Sequence, residues 1–271
     1  MNELVVVDDG SSDNTREVLQ EFAAEAKVTI IHQRNAGPSG ARNTGILATT
    51  SELVGFLDSD DLWHEEKARK HLAFLEAHPA SDLTYSGWRT VDEDGHWTGR
   101  TNLGTRRKPG FESLLISNFT GPASTVIVRR AALVTAGLFD EGLRSNVDLD
   151  MWLRIAAIRD GNIGHIPEAL VDWRERHGQI TGDWRRMWVG WQRVLQKAEA
   201  LRPSSVERVR RVAIASQLRY IAYLAWRQGD TKDARSLLWR AVKTSPFTVA
   251  TDPRAWLLVA RLFAFFPVRA S

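Results

Sequence analysis

Two stretches of the sequence decide the predicted fold: Leu4-Val5-Val6-Val7-Asp8-Asp9-Gly10-Ser11 and Phe56-Leu57-Asp58-Ser59-Asp60-Asp61. Each is a short apolar run that aspartates follow at once. The apolar residues do not alternate with polar ones, which is typical of a strand buried on both faces of a parallel sheet. Both runs are therefore predicted to be interior strands that end in acidic loops.

Strand and helix patterns alternate through the first half of the chain. This alternation predicts an α/β fold with a doubly wound, mostly parallel sheet flanked by helices. The predicted strands are Leu4–Val7, Val28–His32, Leu53–Leu57, Leu83–Ser86, Trp88–Val91, Trp97–Arg100, Ser124–Val128, Ile163–Ile166 and Leu170–Trp173. The predicted helices follow Ser12 and Asp13, then cover about Thr44–Thr49, Glu65–His78, Arg130–Ala136 and Asp148–Arg159, with residues 35–43 as a loop.

The chain changes character after about residue 180. Trp184, Trp188 and Trp191 recur at helical spacing, and helical patterns over Ser205–Arg227 and Thr231–Lys243 resemble one tetratricopeptide-type hairpin. One such unit is too few for a solenoid. The sequence therefore predicts a first domain over residues 1–180 and a helical appendage over residues 181–271.

Composition excludes several classes of function. The 271 residues include no Cys, which excludes a disulfide scaffold, thiol catalysis and a Cys-ligated metal site. The net charge of +3 is too small to indicate a nucleic-acid partner. The first ten residues have no secretory pattern, and no apolar run reaches the roughly 18 residues of a membrane span. The sequence predicts a cytoplasmic protein, with the inner face of the membrane as the alternative location.

The aspartates that follow the two interior strands suggest a metal site. If both strands lie parallel in one sheet, Asp8, Asp9, Asp58, Asp60 and Asp61 leave the same rim, where open α/β sheets bind ligands. Carboxylates gathered at one rim repel one another unless a cation lies between them. Carboxylate oxygens suit Mg²⁺ or Mn²⁺, with a substrate phosphate completing the coordination. The alternative is that aspartates after strands only begin turns and cap helices.

Five motifs together resemble a known family. Residues 1 to about 180 resemble a family-2 glycosyltransferase of the GT-A, nucleotide-diphospho-sugar transferase, fold. The resemblance is carried by Val5-Val6-Val7-Asp8-Asp9-Gly10-Ser11, Arg34-Asn35-Ala36-Gly37-Pro38-Ser39-Gly40-Ala41-Arg42-Asn43-Thr44-Gly45, Phe56-Leu57-Asp58-Ser59-Asp60-Asp61-Leu62-Trp63, Gly137-Leu138-Phe139-Asp140-Glu141 and Val147-Asp148-Leu149-Asp150-Met151-Trp152-Leu153-Arg154.

The resemblance implies a nucleotide and metal site. It assigns Asp8 and Asp9 to nucleotide binding, with Asp9 accepting a hydrogen bond from the base of a UDP- or dTDP-type donor. Arg42 resembles the family's basic residue near the base and phosphates, with a surface ion pair as the alternative. Asp58 is implied at the ribose or the metal, and Asp60 as the principal ligand of Mn²⁺ or Mg²⁺. Asp61 is expected to cap the next helix instead.

The same resemblance implies a catalytic base and a further metal ligand. Asp148 matches the base that takes a proton from the acceptor hydroxyl. This chain has Val147 where the family usually has Glu, and Asp148 could alternatively only cap its helix. Asp150 is the other candidate for that cap. His177 resembles a late histidine near the metal or diphosphate, with a structural role as the alternative.

One element of the family pattern has no counterpart here. The family begins with a strand and a helix before the motif at Val5, and the resemblance places that strand centrally in the sheet. Its absence predicts unpaired backbone groups at the sheet, or a rearrangement that covers them. A mis-assigned start, a truncated copy or another segment in that place would each account for this.

The sequence predicts an inverting, metal-dependent glycosyltransferase that moves a sugar from a nucleoside-diphosphate donor to a hydroxyl acceptor in polysaccharide or glycolipid assembly. A nucleotide-sugar-binding remnant and a nucleotidyltransferase on a related fold are the alternatives. A lipid-linked acceptor and peripheral membrane association are left open, because Ala255–Phe266 is apolar all round except Arg261. That segment is expected to dock on the helical appendage or to lie at a membrane interface.

Overall fold

The structure, a computed structural model, describes residues 3–104, 108–159, 162–176 and 182–263. The chain divides into two compact units. The first, here called the α/β unit, comprises Met1–Gly110 and Phe119–Glu175. The second, here called the helical unit, comprises Phe111–Asn118 and Arg176–Ser271. Residues 111–118, which the sequence pattern groups with the first domain, thus belong to the helical unit.

All described strands lie in the α/β unit. They are β1 Leu4–Asp8, β2 Val28–His32, β3 Leu53–Gly55, β4 Leu62–Trp63, β5 Leu83–Val91, β6 Trp97–Asn102, β7 Val126–Arg129 and β8 Ile163–Arg174. The described helices are α1 Thr15–Gln20, α2 Gly37–Ala48, α3 Glu66–Ala77, α4 Phe111–Ile116, α5 Arg130–Thr135, α6 Val147–Ile158, α7 Trp184–Leu201, α8 Pro203–Arg227, α9 Thr231–Thr244, α10 Pro246–Ala250 and α11 Pro253–Phe263.

The strands form two sheets and not one. In the described residues β1 pairs only with β2, in parallel, while the other six form a sheet in the order β3-β7-β5-β8-β4, with β6 on β5. Within the six-stranded sheet only β5 and β8 are parallel. The prediction of one mostly parallel sheet is therefore wrong, although the α/β class is right. Strands β1 and β3 therefore lie in different sheets, and the predicted rim at which the aspartates of both strands leave one sheet is not observed.

Two strands of the larger sheet are longer than their local patterns indicate. The two predicted strands on either side of Gly87 are one nine-residue strand, and β8 likewise joins two predicted strands into twelve residues. β5 lies at the centre, with β7 antiparallel on one side and β8 parallel on the other. Leu83, Tyr85 and Val128 are fully buried in this centre.

Helix α2 corrects a second prediction. It begins at Gly37, within the predicted loop over residues 35–43, and runs for twelve residues. Gly37 has a φ of +78°, which lets the chain turn into the helix, and Pro38 is tolerated in the first turn. The Asp9 side chain accepts hydrogen bonds from the Ala36 and Gly37 amides, so the helix start is stabilised from a distant segment. That long-range contact is invisible to a local pattern.

The helical unit contains α4 and α7–α11. Its core joins three of the predicted helical segments, since residues from α7, α8 and α9 form one buried cluster with α10 and α11. Helices α8 and α9 make the expected hairpin, with a turn at Gly229 whose φ is +83°. Helix α4 packs on α8, where the Arg202 guanidinium lies 5.7 Å from the centre of the Phe111 ring. Among the described helices, none combines the length and apolar character that a bilayer span requires.

Candidate active site

Arg42 on α2 connects two of the predicted functional carboxylates. Its Nη2 donates to Asp58 Oδ1 at 2.7 Å, and its Nη1 donates to Asp148 Oδ1 at 2.8 Å. The Arg42 side chain is 12% exposed, so this is not the surface ion pair considered from sequence. Within the described residues, Oδ2 of each carboxylate has no hydrogen-bond partner. One guanidinium therefore holds two carboxylates by one oxygen each.

Burial and the attraction between opposite charges act in opposite directions on the pKa values of Arg42 and Asp148. Burial acts to lower the pKa of Arg42, but attraction to Asp148 and Asp58 outweighs it and holds the pKa above its ordinary value. Burial raises the pKa of Asp148, and repulsion from Asp58 adds to that, while Arg42 works against both. Arg42 therefore favours the ionised form of Asp148 in a place where burial disfavours it.

Aromatic packing fixes the position of Arg42. Its guanidinium lies 5.6 Å from the centre of the Phe139 ring, a cation–π distance. Phe139 meets Phe56 edge-to-face at 5.5 Å and Trp152 at 5.9 Å. The neighbouring Asn43 holds the same loop, because its side chain donates to Phe139 O at 2.9 Å and accepts from Phe139 N at 2.8 Å. Helix α2 and the Gly137–Glu141 motif thus form one support.

Asp9 lies at the amino-terminal end of the same helix. Its Oδ1 accepts from Gln33 Nε2 at 2.6 Å and Ala36 N at 2.8 Å, and its Oδ2 accepts from Gly37 N at 2.8 Å. Arg42 is five residues farther along α2, about 7.5 Å along the axis. Helix α2, and not a shared sheet edge, is the element that both Asp9 and Asp58 contact.

Asp8 has a structural role in this arrangement. It is buried at the end of β1, where its Oδ1 accepts from Ser11 N at 2.9 Å and its Oδ2 lies 2.8 Å from His32 Nδ1 on β2. The hydrogen bonds from Ser11 and His32 hold the pKa of Asp8 well below its usual range. Asp8 thereby fixes the loop that presents Asp9.

The acidic loop after β3 is held by Ser124 and Arg174. Ser124 Oγ accepts from Asp58 N at 3.0 Å and donates to Asp61 Oδ2 at 2.6 Å. Arg174 N donates to Asp61 Oδ1 at 3.0 Å, and Arg174 Nε donates to the carbonyl oxygen of Asp60 at 3.0 Å. The loop conformation thus depends on Ser124, in the short 3-10 helix just before β7, and on Arg174, the last residue of β8.

Asp61 does not cap the next helix, contrary to the prediction. It is buried, and α3 begins at Glu66 with no side-chain cap. Burial raises the pKa of Asp61 to about 6, because the hydrogen bonds from Ser124 and Arg174 only partly offset the loss of water. Asp58 and Asp60 differ from Asp61, because both residues are partly exposed to solvent.

Asp148 and Asp150 both lie in the first turn of α6, and the structure separates their roles. Asn146, and neither aspartate, occupies the helix cap position. Asp150 is buried and accepts from Arg154 Nε at 2.9 Å and Nη2 at 2.7 Å, which is a structural ion pair. Asp148 instead faces Arg42. His177, the third predicted metal ligand, lies outside the described residues.

A second acidic group lies in the turn between β5 and β6. Ligand atoms of Asp92, Asp94 and His96 lie within 4.8 Å of one another. Asp92 Oδ1 accepts from the amides of Asp94 at 3.1 Å and His96 at 2.8 Å, as an ordinary turn does. Arg174 Nη1 donates to the carbonyl oxygens of Asp92 and Glu93, so this turn and the acidic loop share one anchor.

Four residues that position the site were missed from sequence: Gln33, Asn43, Ser124 and Arg174. Asn43 lies within the matched motif that contains Arg42, so that motif was its only signal. The other three act through contacts with residues far away in sequence, and a local pattern does not reveal such contacts.

Comparison with known proteins decides the family. The sequence model of Glycosyl transferase family 2 matches residues 2–139, which is half of the chain. The chain belongs to glycosyl transferase family 2. The predicted family is thereby confirmed, and its members are enzymes that transfer sugars.

Relatives of this family-2 chain match only part of their own length. A glycosyltransferase of Rickettsia bellii is 29% identical over 156 residues, which are 57% of this chain and 22% of the relative. TuaG of Bacillus subtilis, named as a teichuronic acid biosynthesis glycosyltransferase, is 24% identical over 184 residues, which are 67% of this chain and 70% of TuaG. The chain thus spans about a fifth of the Rickettsia relative.

Solved structures of two proteins share the fold. S. aureus TarS 1-349 in complex with UDP-GlcNAc superposes with a TM-score of 0.53 at 19% identity, covering 96% of this chain and 71% of TarS. The mannosyltransferase PcManGT of Pyrobaculum calidifontis, in complex with GDP-Man and Mn²⁺, gives 0.54 at 18% identity, covering 96% and 76%. The predicted GT-A-type fold with a carboxyl-terminal helical part is confirmed.

Proposed function

We propose that this protein is an inverting, metal-dependent glycosyltransferase that moves a sugar from a nucleoside-diphospho-sugar to an acceptor hydroxyl. The observation that carries the proposal is the bridge from Arg42 to Asp58 and Asp148. A donor-side carboxylate and a candidate base share one cation, and each keeps one carboxylate oxygen. Family membership supports the reaction class.

The residues present fit a divalent cation. Asp58 and Asp60 supply carboxylate oxygens, which Mn²⁺ and Mg²⁺ prefer. The Asp58 side chain is 40% exposed, and the fixed loop around it reduces the cost of ordering the ligands. When bound there, the cation would neutralise negative charge on the leaving diphosphate.

Asp9 is suited to the base of the donor. A carboxylate has about four acceptor positions, and Gln33, Ala36 and Gly37 occupy three of Asp9. One position stays available for the ring N–H of uracil or thymine. The three fixed donors orient the carboxylate before the ligand arrives, so little entropy is lost on binding. This favours a UDP- or dTDP-type donor.

Asp148 would act as the general base. In the proposed step the acceptor oxygen forms a bond to the anomeric carbon while the bond from that carbon to the diphosphate oxygen breaks. The hydroxyl proton moves to Asp148 Oδ2, and the nucleoside diphosphate leaves with the electron pair of the broken bond. Attack from the side opposite the leaving group inverts the configuration. Arg42 favours the ionised form of Asp148 that this step requires, since it opposes the rise in pKa that burial causes.

The acceptor is proposed to be a growing polysaccharide or a glycolipid. TuaG, a relative of this chain, is named for teichuronic acid biosynthesis. A polymer is therefore the first acceptor that we propose for this protein. A lipid-linked sugar offers the same reacting group, a hydroxyl, so the transfer step does not distinguish the two acceptors.

The test measures nucleoside diphosphate released from UDP-, dTDP- and GDP-sugars with Mn²⁺ or Mg²⁺. Chelation and Asp60→Ala should each abolish release. Asp148→Asn should lower the rate at least about 100-fold while donor binding is unchanged, because the base acts after binding. The matched control is Asp13→Asn, since Asp13 is exposed and bonds only within its own turn to Thr15.

Three results would contradict the proposal. Full activity of Asp148→Asn would show that Asp148 is not the general base. Full activity in the presence of chelator would show that the reaction does not depend on a metal. Pyrophosphate formation from a sugar phosphate and a nucleoside triphosphate would indicate a nucleotidyltransferase instead.

A further inference from the structure

Charge is divided unevenly between the two units. The helical unit carries 18 Lys and Arg against 7 Asp and Glu, a formal charge of +11, while the α/β unit carries 18 against 26, a charge of −8. The small net charge of the whole chain conceals this division. A unit with so large a positive charge attracts acidic surfaces at physiological ionic strength.

Helix α11 has an apolar face that the described residues of the helical unit leave exposed. Ala255, Leu258 and Leu262 are buried in the core of the unit, so the helix does dock on the appendage. Trp256 and Phe263, seven residues apart on another face, are both 61% exposed. Leu257 is also exposed, and Arg254 and Arg261 lie beside this face in the helical sequence. The helix thus has a buried face, an exposed apolar face and a basic edge.

The two preceding helices add exposed aromatic residues with cations beside them. Trp239 on α9 and Phe247 on α10 are exposed, and Lys243 Nζ lies 5.4 Å from the centre of the Trp239 ring. Arg235 on α9 lies 5.1 Å from the centre of the Phe263 ring. Trp256 Nε1 donates to the carbonyl of Ala250 at 2.8 Å, which joins α11 to the end of α10.

We propose that the exposed faces of α9, α10 and α11 dock this protein on the surface of an anionic lipid bilayer. Trp and Phe side chains beside Arg and Lys are the composition of helices that lie in the interface plane, with apolar groups among the acyl chains and cations at the headgroups. Long basic side chains can bury their stems and keep their charges in water. The acidic groups of this region do not oppose such docking, because Asp233 and Asp252 are paired with Arg185 and Arg254.

A bilayer fits these faces better than a nucleic acid does. The phosphates of a nucleic acid bind basic side chains, and its bases stack on aromatic side chains, but neither group makes a favourable contact that requires an exposed leucine. Leu257 lies between Trp256 and the buried Leu258, and it is 59% exposed. An aliphatic side chain in that place gains free energy only by leaving water for an apolar phase.

The test is sedimentation of the full chain with phosphatidylcholine vesicles, with and without phosphatidylglycerol. We expect binding to the vesicles that contain phosphatidylglycerol, weaker binding as salt is added, and little binding to phosphatidylcholine alone. The double variant Trp256→Ser, Leu257→Ser should bind at least about tenfold more weakly, since two exposed apolar side chains are lost. Neither change should lower the release of nucleoside diphosphate from the sugar donor when a soluble acceptor is supplied. Failure of this inference is therefore distinguishable from failure of the proposed function.

The matched control is Trp97→Ser on β6. Trp97 is 59% exposed, so the same chemical change is made at an equally exposed tryptophan of the acidic unit. It should leave vesicle binding unchanged. Trp239→Ser on α9 is a second variant that should weaken binding even if the double variant fails to fold by circular dichroism. Equal loss in Trp97→Ser, equal binding to neutral vesicles, or tighter binding to double-stranded DNA than to anionic vesicles would overturn the inference.

Discussion

The single side chain of Arg42 connects two carboxylates of the candidate site. A guanidinium is planar and presents its N–H groups in a fixed fork, so two carboxylates can be held at a set distance. Asp58 and Asp148 come from segments ninety residues apart in the sequence, and α2 brings the Arg42 guanidinium between them. The two carboxylates to which we assign donor binding and base catalysis therefore both depend on one residue.

Substitution of Arg42 should separate geometry from charge. Arg42→Lys keeps the charge but cannot bond both carboxylates in the same fork, so we expect about a tenfold loss of kcat. Arg42→Met leaves the partly exposed carboxylates of Asp58 and Asp148 without their cation, and we expect about 1 kcal/mol less stability together with a loss of kcat of at least about 100-fold. Urea unfolding and donor turnover measure the two effects, with Arg16→Met, at an exposed position, as control.

The pH dependence of the Arg42 variants has a definite sign. Burial already raises the pKa of Asp148, and Arg42 opposes that rise. Without the cation the pKa should rise further, so the base becomes protonated at higher pH. The acidic limb of kcat/KM should therefore move to higher pH in Arg42→Met, and by less in Arg42→Lys, which keeps the charge. An unmoved limb would show that Asp148 is not the group that titrates.

A buried lysine and a buried histidine on α3 have pKa values that burial lowers, and this should make the stability of the protein depend on pH. Lys67 on α3 is fully buried, with its Nζ 3.2 Å from the carbonyl oxygen of Thr125, 3.3 Å from His71 Nε2 and 4.4 Å from the Trp63 ring centre. Burial lowers the pKa of Lys67 from 10.5 to about 7. Burial and the neighbouring Lys67 likewise lower the pKa of His71 to about 2, so His71 stays neutral.

Stability should rise with pH because of Lys67. Between pH 7 and 10.5 the unfolded chain binds more protons at this lysine than the folded chain does, so the free energy of unfolding increases over that window. Relative to Lys67→Met, the natural protein should gain about 3 kcal/mol from pH 7 to pH 10. Urea unfolding across this range is the measurement. Lys27→Met, at an exposed lysine, should run parallel to the natural protein, and parallel curves for Lys67→Met would refute the prediction.

Individual residues were predictable only where a motif marked them. Asp9, Arg42, Asp58 and Asp148 stand in matched motifs, and the structure joins the last three directly. The use of Asp9 to begin α2, and of Asp61 as a buried acceptor, depends on Gly37 and Ser124, which lie far from each aspartate in sequence. Single-sequence patterns carry no information on such pairs. The roles assigned to these residues stay predictions.

At the scale of elements, the two-stranded sheet is the weak part of the α/β unit. In the described residues β1 has one neighbour, β2, whereas β5 has three. The apolar residues Val5, Val6 and Val7 of β1 are only half-buried, although their pattern is that of an interior strand. A two-stranded sheet is marginal by itself, so its opening should cost little free energy.

Hydrogen exchange should resolve this difference. We expect amides of β1 and β2 to exchange at least about 100-fold faster than those of β5 and β8, because the first sheet opens without unfolding the second. Mass spectrometry of peptides that cover residues 4–8 and 83–91 measures the two rates. Equal protection of the two peptides would mean that β1 has a partner on its other edge in solution.

Elements with strong local patterns were predicted well. Strand β2 has the predicted bounds, and α3, α5 and α6 each agree within one residue. The failures share one cause, which is that tertiary contacts outweigh a local pattern. Strand β5 continues through Gly87 because β8 pairs along its whole length, and α4 was missed because its six residues give too short a period to recognise.

At the scale of the whole molecule, the helical unit is assembled from two separate parts of the chain. Helix α4 precedes β7 in sequence but packs on α8, with Phe111, Leu114 and Leu115 buried. A cut between the predicted domains therefore separates α4 from the helices that cover it. Sequence patterns predict a change of character near residue 180, and they do not assign α4 to the helical unit.

A fragment ending at residue 175 should therefore behave poorly. It retains α4 and loses α8, so three buried apolar side chains become exposed to water and favour association. We expect size-exclusion chromatography to show aggregates and a hydrophobic dye to bind. The same fragment with Leu114→Ser and Leu115→Ser should be more soluble. A monomeric unmodified fragment that does not bind the dye would contradict this account.

The split origin of the helical unit also sets an order of events during synthesis. Helix α4 ends at Ile116, and its partner α8 does not begin until Pro203. At a ribosomal speed of about 10 residues per second, the nascent α4 waits roughly 10 seconds for the surface that will cover it. During that interval its uncovered phenylalanine and leucines are available to the chaperones that meet emerging chains.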